Sequence, residues 1–419
     1  MSTKIHTLLL AGIAGLSLAS SCDKNNNDIN TQDLPDPIQI SLRSAEKEMV
    51  QSDQSFAFDF FALVFNEESV GEDLNFMVSP LSLSMALAMT WNGAAGETKP
   101  AMQQTLKMGD YAEEELNSYY KKLKDALLKT DPSTKLSIAN AIFTNQSVTI
   151  HPDFIHTNQS YYDATVQPVD FSGTAAKDIM NQWASDHTNG LIKKVIDKTN
   201  TFDLMYLLNA IYFKGIWTTA FDAKHTSRKP FTSEDGTIWQ VDMMKQRADF
   251  NYTEDQVLQL VQLPYGNQAF SMMVLLPQEG KRLQDVVAAT RQDDYWNGLK
   301  STMSEAEVDL SLPKFKTEYS KKLNDVLSKM GMGIAFTDAA DFSGMTNHTA
   351  KIAFVKQDTY ISTDESGTEA AAVTTVGMEL TSMPAEPQRV VFNADRPFIY
   401  LIQENSTGAI LFMGAVKNF

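Results

Sequence analysis

The 419-residue chain carries 1 Cys, at Cys22, and 6 His. Neither type is arranged for catalysis. No Gly-x-Ser-x-Gly turn presents a serine nucleophile, and no His-Glu-x-x-His pair offers two imidazoles to a metal. A hydrolase assembled from a distant Ser, His and Asp is the weakest reading, since such residues occur by chance in a chain this long. A lone cysteine forms no intrachain disulfide, so the fold rests on its core. The chain is not expected to be an enzyme, and no metal or cofactor is expected.

Cys22 suits a different chemistry, attachment of lipid. Lys4 supplies a positive start, and Leu8 to Ala19 is an apolar run too short to cross a bilayer as a helix. Leu18-Ala19-Ser20-Ser21-Cys22 follows. This order resembles a bacterial lipoprotein signal, although Ala19 stands where Leu is usual. The resemblance implies removal of residues 1–21, lipidation of Cys22 and export as an outer-membrane lipoprotein facing the cell surface or the periplasm. An ordinary secretory signal with an incidental cysteine is the alternative. From Asp23 to about Ile38 almost nothing is apolar, so burial cannot offset ordering entropy. Residues 22–44 are expected to be the lipidated cysteine and a flexible tether.

The rest of the chain must position whatever else acts. With 43% hydrophobic residues, 23 Phe, 13 Tyr and 5 Trp, it can bury a large core. A net charge of −17 argues against a nucleic-acid partner. Residues 44–130 read as helical, with Phe56, Phe60, Leu63 and Val64 near 3.6 spacing, then Leu83 to Trp91. Ala175 to Thr188 reads as a helix stopped at Gly190, and Leu323 to Met330 as a later one. Leu136 to Phe143 is strand-like, and Leu204 to Phe213 reads as a fully buried strand. Leu258 to Pro264 and Phe270 to Leu276 should pair around Tyr265-Gly266-Asn267. Glu307 to Leu312 alternates, and Val390 to Phe392, Phe398 to Gln403 and Ala409 to Gly414 close the chain as strands. Helices first and strands later, without regular alternation, indicate an α+β fold.

A collinear series of motifs resembles the serpin family, inhibitors that trap serine or cysteine proteases. It includes Asn75-Phe76-Met77-Val78-Ser79-Pro80 with Ser82, Gly93-Ala94-Ala95-Gly96-Glu97-Thr98 and Ala139-Asn140-Ala141-Ile142-Phe143. Leu208-Asn209-Ala210-Ile211-Tyr212-Phe213-Lys214-Gly215 with Trp217, Leu312-Pro313-Lys314-Phe315 and Glu365-Ser366-Gly367-Thr368-Glu369-Ala370-Ala371 follow. Arg396-Pro397-Phe398 ends it. The resemblance implies one serpin domain over 45–419, three β-sheets, eight or nine helices, and an exposed reactive-centre loop over about 367–389. It also implies a covalent 1:1 complex with the target protease and a monomeric inhibitor.

In the family mechanism the cleaved loop enters the main sheet as a new strand, dragging the acylated protease with it. The sequence meets the demands of insertion. On one face lie Thr368, Ala370, Ala372 and Thr374, all small and uncharged; on the other, Glu369, Ala371, Val373 and Thr375. No proline interrupts Gly367 to Ser382, so each ladder N–H is present. The alternative, an ordinary helix through Glu369-Ala370-Ala371-Ala372, is opposed by Val373-Thr374-Thr375-Val376. The hinge is thus expected at Glu365 and Gly367 to Ala372. Ser79, Ser82 and Asn209 match the family's shutter, with Gln357 in place of the usual histidine. Trp217 and Glu365 match the breach. Helix capping by Ser79 and Ser82 is the local alternative.

Counting from the hinge puts the cleaved bond at Thr381-Ser382; counting back from Arg396 puts it nearer Met383. Pro384 disfavours cleavage after Met383. Leu380, Thr381 and Ser382 offer no cation to a trypsin-like pocket and suit elastase-like or subtilisin-like targets. A non-inhibitory carrier on the same fold is the competing function, opposed by the small-residue hinge.

Overall fold

The structure, a computed structural model, describes residues 34–69, 75–292, 294–368 and 389–419. Nine α-helices occur among them. They are α1 (Ser44–Glu68), α2 (Pro80–Trp91), α3 (Thr98–Thr105), α4 (Glu113–Leu127), α5 (Pro152–Tyr162), α6 (Ala175–His187), α7 (Leu283–Thr290), α8 (Tyr295–Ser301) and α9 (Asn324–Leu327). The strands begin with β1 (Phe76–Val78), β2 (Lys135–Asn145), β3 (Thr165–Val169), β4 (Met205–Ile216) and β5 (Ser227–Thr232). Next come β6 (Ile238–Glu254), β7 (Leu258–Tyr265), β8 (Phe270–Pro277), β9 (Ser304–Pro313) and β10 (Phe315–Lys322). The last are β11 (Lys356–Asp364), β12 (Gly367–Thr368), β13 (Val390–Asn393), β14 (Phe398–Glu404) and β15 (Ile410–Val416).

The strands form two hydrogen-bonded networks. One is a 6-stranded sheet in the order β10-β11-β12-β4-β2-β3. The other is a 9-stranded path, β1-β15-β14-β8-β7-β6-β9-β13, with β5 on β6. Long β6 serves two leaves of that path. Its start pairs with β5, its middle with β9 from Met243 to Tyr252, and its end with β7 from Asn251 to Glu254. The three sheets implied by the resemblance are present, two of them joined through one continuous strand.

Helix α2 lies at the centre. Pro80 at its first position presets the backbone angle, and 11 of its residues from Pro80 to Trp91 are buried, so it is apolar all round. Helix α1 turns Phe56, Phe60, Phe61 and Val64 into the same core. The sequence-based helix over Leu323 to Met330 is instead α9 followed by a wider turn, Ser328–Met332, with Gly331 at φ 125°. Such a backbone angle breaks the α-helical ladder and favours glycine. Before α1, Ile38 and Ile40 are already held on the body. Ile38 exchanges bonds with Thr130, and the Ile40 N–H donates to Ser406 Oγ at 3.0 Å. The expected tether to residue 44 therefore meets the domain six residues before α1 begins, because the Ile40 side chain is buried and the backbones of Ile38 and Ile40 find partners there.

Candidate functional site

The expected hinge meets the six-stranded sheet between β4 and β11. Two residues, Gly367 and Thr368, form β12. They pair antiparallel with Ile216 and Gly215 of β4, and with Asp364 and Thr363 of β11. Gly367 takes φ 147°, and a Cβ there would stand 2.1 Å from the Gly215 carbonyl oxygen. Only glycine fits this crossing point. Thr368 is 2% exposed, and its Oγ1 lies 2.7 Å from the Tyr265 hydroxyl. The expectation made Thr368 the first side chain to pass beneath the sheet on insertion; here it is already beneath it.

The surroundings fix that start. Trp217 stacks on Tyr265 with centroids 4.5 Å apart and planes 10° apart. Its indole Nε1 donates to the Asp364 carbonyl, and its backbone N–H to the Ser366 carbonyl, both at 2.9 Å. Glu365 accepts from Lys314 Nζ at 2.8 Å and from Thr226 Oγ1 at 2.7 Å. Burial raises the Glu365 carboxyl, but these two bonds outweigh it and hold it below its usual range. The hydrogen bond to Glu365, with its charge, holds the Lys314 ammonium protonated above its usual range. Burial pushes the neighbouring Asp364 carboxyl up. Burial likewise raises the Tyr265 hydroxyl, so it stays protonated beside Thr368.

Among the described residues no ladder joins β4 directly to β11; they meet only through β12. Between them lies a cavity of about 330 Å³ bordered by Leu207, Leu208 and Asn209 on one side and Phe354 and Gln357 on the other, with Trp183 of α6 over it. This explains a departure from the sequence reading. Leu204 to Phe213 was expected as a fully buried strand, yet Met205, Leu207, Leu208 and Asn209 are half-buried. Met205, Leu207 and Leu208 turn their apolar character, and Asn209 its amide, toward this cavity rather than a closed core.

The expected shutter residues lie along this cavity and the base of α2, in two hydrogen-bonded groups. On the β4 side, Ser82 Oγ donates to Asn209 Oδ1, and Asn209 Nδ2 donates to Asn140 Oδ1 at 2.7 Å. On the β11 side, Gln357 clasps the backbone of Ser79. It accepts from the Ser79 N–H and donates to the Ser79 carbonyl, each at 2.9 Å. Gln357 and Asn209 thus face each other across the gap, each tied to the base of α2. Ser79 stands at the N-cap position of α2 but does not cap it with its side chain; its Oγ donates to Leu411 O at 2.7 Å. Its hydroxyl is oriented toward the carbonyl of the adjoining strand, β15, rather than toward the helix N–H groups. Replacing Gln357 with Ala should leave the Ser79 N–H unpaired in a fully buried position, while the Ser79 carbonyl keeps the Leu83 N–H, lowering stability by about 2 kcal/mol. The check is thermal or denaturant unfolding, and an unchanged midpoint would show that the clasp is not structural.

These motifs and this architecture agree with the comparisons. The serpin (serine protease inhibitor) family model matches residues 51–419. The chain belongs to the serpin family. This serpin is 35% identical to the leukocyte elastase inhibitor of Xenopus laevis over 375 residues, covering 86% of this chain and 96% of that one. The crystal structure of the thermophilic serpin tengpin in its native state superposes with a TM-score of 0.81 at 30% identity, covering 92% of this chain and 98% of that one. Human thyroxine-binding globulin, solved with its hormone, superposes with a TM-score of 0.79 at 30% identity, covering 90% and 99% of the two chains. The fold is thus that of a family of protease inhibitors, suicide substrates rather than catalysts.

The structure brings Glu365, Gly367, Thr368 and Trp217 together, and sets Ser79, Ser82, Asn209 and Gln357 along one opening. Glu369 to Ala372, Leu380, Thr381, Ser382, Met383 and Cys22 lie outside the described residues. Sequence reasoning missed Tyr265, Thr226 and Lys314 as partners of the hinge. Tyr265 and Lys314 sat within family motifs, but no local pattern shows a hydroxyl meeting Thr368 from 103 positions away. Thr359, whose Oγ1 donates to Met77 O at 2.7 Å, is a further tie between β11 and β1.

Proposed function

We propose that this serpin is a suicide-substrate inhibitor of serine endopeptidases, with cysteine endopeptidases as a second class, and of elastase-like or subtilisin-like enzymes in particular. The carrying observation is the two-residue β12 seated at the head of an open strand position. The protease serine attacks the carbonyl carbon of Thr381. The bond to the Ser382 nitrogen breaks, that nitrogen takes the proton, and an ester holds Thr381 on the enzyme. The segment after Thr368 then continues β12 between β4 and β11. Glu365 and Gly367 to Ala372 act as the hinge, Trp217 as the breach, and Ser79, Ser82, Asn209 and Gln357 as the shutter. The driving step is strand addition, in which edge N–H and C=O groups of two strands gain partners together.

The sequence at Leu380 to Ser382 and the elastase-inhibiting relative support the choice of target. The thyroxine-binding relative represents the carrier alternative. An elastase-like and a subtilisin-like enzyme mixed with the protein should each give a band stable in SDS, with release of a peptide beginning at Ser382 by mass spectrometry. Full cleavage without a covalent band would favour the carrier reading.

We also propose that the chain is exported and held on an outer membrane by lipid on Cys22. The support is the order of charge, apolar run and small residues before the sole cysteine. Acyl chains supply the apolar surface that binds the bilayer. Cys22→Ala should move the protein from the membrane fraction to the soluble one, with inhibition retained. Unchanged fractionation would remove the lipid anchor.

A further inference from the structure

The cavity between β4 and the start of β11 joins two cores. Leu207 and Val355 border it from the main core, and Leu208, Phe354 and Trp183 from a smaller core that packs α6 on β2 and β4. Leu207 and Leu208 are neighbours on one strand, so they point to opposite faces of the sheet. The cavity therefore passes through the sheet rather than lying on one side of it. Apolar walls with few polar groups, around roughly 300–1,000 Å³, are the usual setting for a small molecule. The polar groups along this cavity are largely committed. Gln357 holds Ser79, Asn209 holds Asn140, and at the rim Lys351 pairs with Asp338 at 2.5 Å. One donor is left over: the indole Nε1 of Trp183 is buried with no hydrogen-bond partner among the described residues. Phe202, 94% exposed, adds an apolar ring at the rim.

We propose that this cavity binds a compact, uncharged, mainly apolar small molecule with one hydrogen-bond acceptor for the Trp183 N–H, and that the bound molecule halts loop insertion part-way. The inference rests on the inhibitory reading. The register gives the point of arrest. Thr368 pairs antiparallel with Gly215 of β4 and with Thr363 of β11. Each residue added to β12 therefore moves one position back along both strands. Thr374, six on, would stand between Asn209 and Gln357, and Val376, eight on, between Leu207 and Val355. Met378 would stand between Met205 and Ala353, which also border the cavity. The residues before Thr374 can add with the molecule in place; Thr374 to Met378 cannot. A loop halted there leaves the acylated protease short of its final position, and water releases it. The molecule would turn the inhibitor into a substrate without touching the cleaved bond. By linkage, a molecule that binds only the intact form also stabilises that form.

The test uses prodan, an uncharged fluorescent naphthalene ketone, and dimethylaminonaphthalene, which lacks the ketone. Prodan emission should shift to the blue on mixing with intact protein and saturate at one molecule per chain. Trp183→Phe keeps an aromatic ring and loses the donor. It should weaken prodan about 2- to 10-fold, and the ketone-free analogue much less. Without prodan it should inhibit as wild type does. With prodan near saturation, wild-type protein should be cut at its usual bond while its stoichiometry of inhibition rises severalfold and active protease is released. Protease alone should be unaffected by prodan. Prodan should raise the melting temperature of intact protein, and cleaved wild type should no longer bind it. Prodan that fails to bind, or that binds cleaved and intact protein alike while inhibition is normal, would overturn the site alone. Equal prodan affinity for Trp183→Phe and wild type would remove the indole contact. Saturable binding with an unchanged stoichiometry of inhibition would overturn the block. Failure of wild-type protein to inhibit in the absence of prodan would remove the inhibitory reading and the block together, while prodan emission still reports on the cavity.

Discussion

Thr368→Arg is expected to turn this serpin from an inhibitor into a substrate. Thr368 is 2% exposed, and its hydroxyl meets that of Tyr265 under the sheet. An Arg there would place a full charge beside the stacked rings of Trp217 and Tyr265. The carboxylate of Glu365 is already engaged by Lys314 and Thr226. Burying an unpartnered charge costs several kcal/mol. The arginine should instead leave the sheet and take Gly367 with it. Insertion would then start from an empty breach while water attacks the ester. Each 1.4 kcal/mol or so slows a step about tenfold, so a delay of a hundredfold or more lets deacylation win. The measurement is stoichiometry of inhibition with cleavage mapped by mass spectrometry. The arginine variant should be cut at the wild-type bond and release active protease. Thr368→Val keeps the shape, loses one hydrogen bond and should still inhibit. Equal stoichiometry for the arginine variant and wild type would mean that Thr368 does not control insertion.

The sequence exposes the parts of this molecule that depend on local rules. Helix α2 is readable because Pro80 starts it and apolar residues fill it. The pairing of β7 with β8 is readable because Tyr265-Gly266-Asn267 separates two apolar runs. Strand β6 escaped notice because one of its faces is outward, so Asp242, Lys245, Gln246, Arg247 and Asp249 make it look polar. Motifs placed the hinge and the α2 base on the chain, but not their mutual arrangement. Gln357 reads as a substitute for the family's usual shutter histidine. It binds the backbone of Ser79, because the glutamine amide both donates and accepts and so matches a peptide N–H and C=O together. The depth to which the hinge enters depends on Tyr265, Gly215 and Asp364, which lie far apart in sequence and meet only in the fold.

Loop cleavage in the wild type should raise the melting temperature by about 10 °C or more. The two strands bordering the opening show the reason. Among the described residues no ladder joins β4 to β11 below β12, so on the proposed mechanism a partner strand would pair with both. Leu207 and Leu208 remain half-buried at the same edge. An inserted strand supplies both needs at once. Each added residue gains about 1 kcal/mol per ladder bond, and its inward methyls gain about 0.8 kcal/mol per buried CH₂. Ordering costs roughly 1–2 kcal/mol per residue, so the gain must come from bonds on both sides of the new strand. A position between two strands provides them; an edge position would not. Domains of 150–250 residues shift by roughly 2–4 °C per kcal/mol, and a longer one shifts less, so the expected rise needs several residues to insert. Melting is compared at one scan rate before and after cleavage, because on the proposed mechanism the intact form is held kinetically. Thr368→Arg supplies the control: cleaved, it should gain much less than wild type. If cleaved wild type melts where intact protein does, the opening between β4 and β11 does not receive the loop.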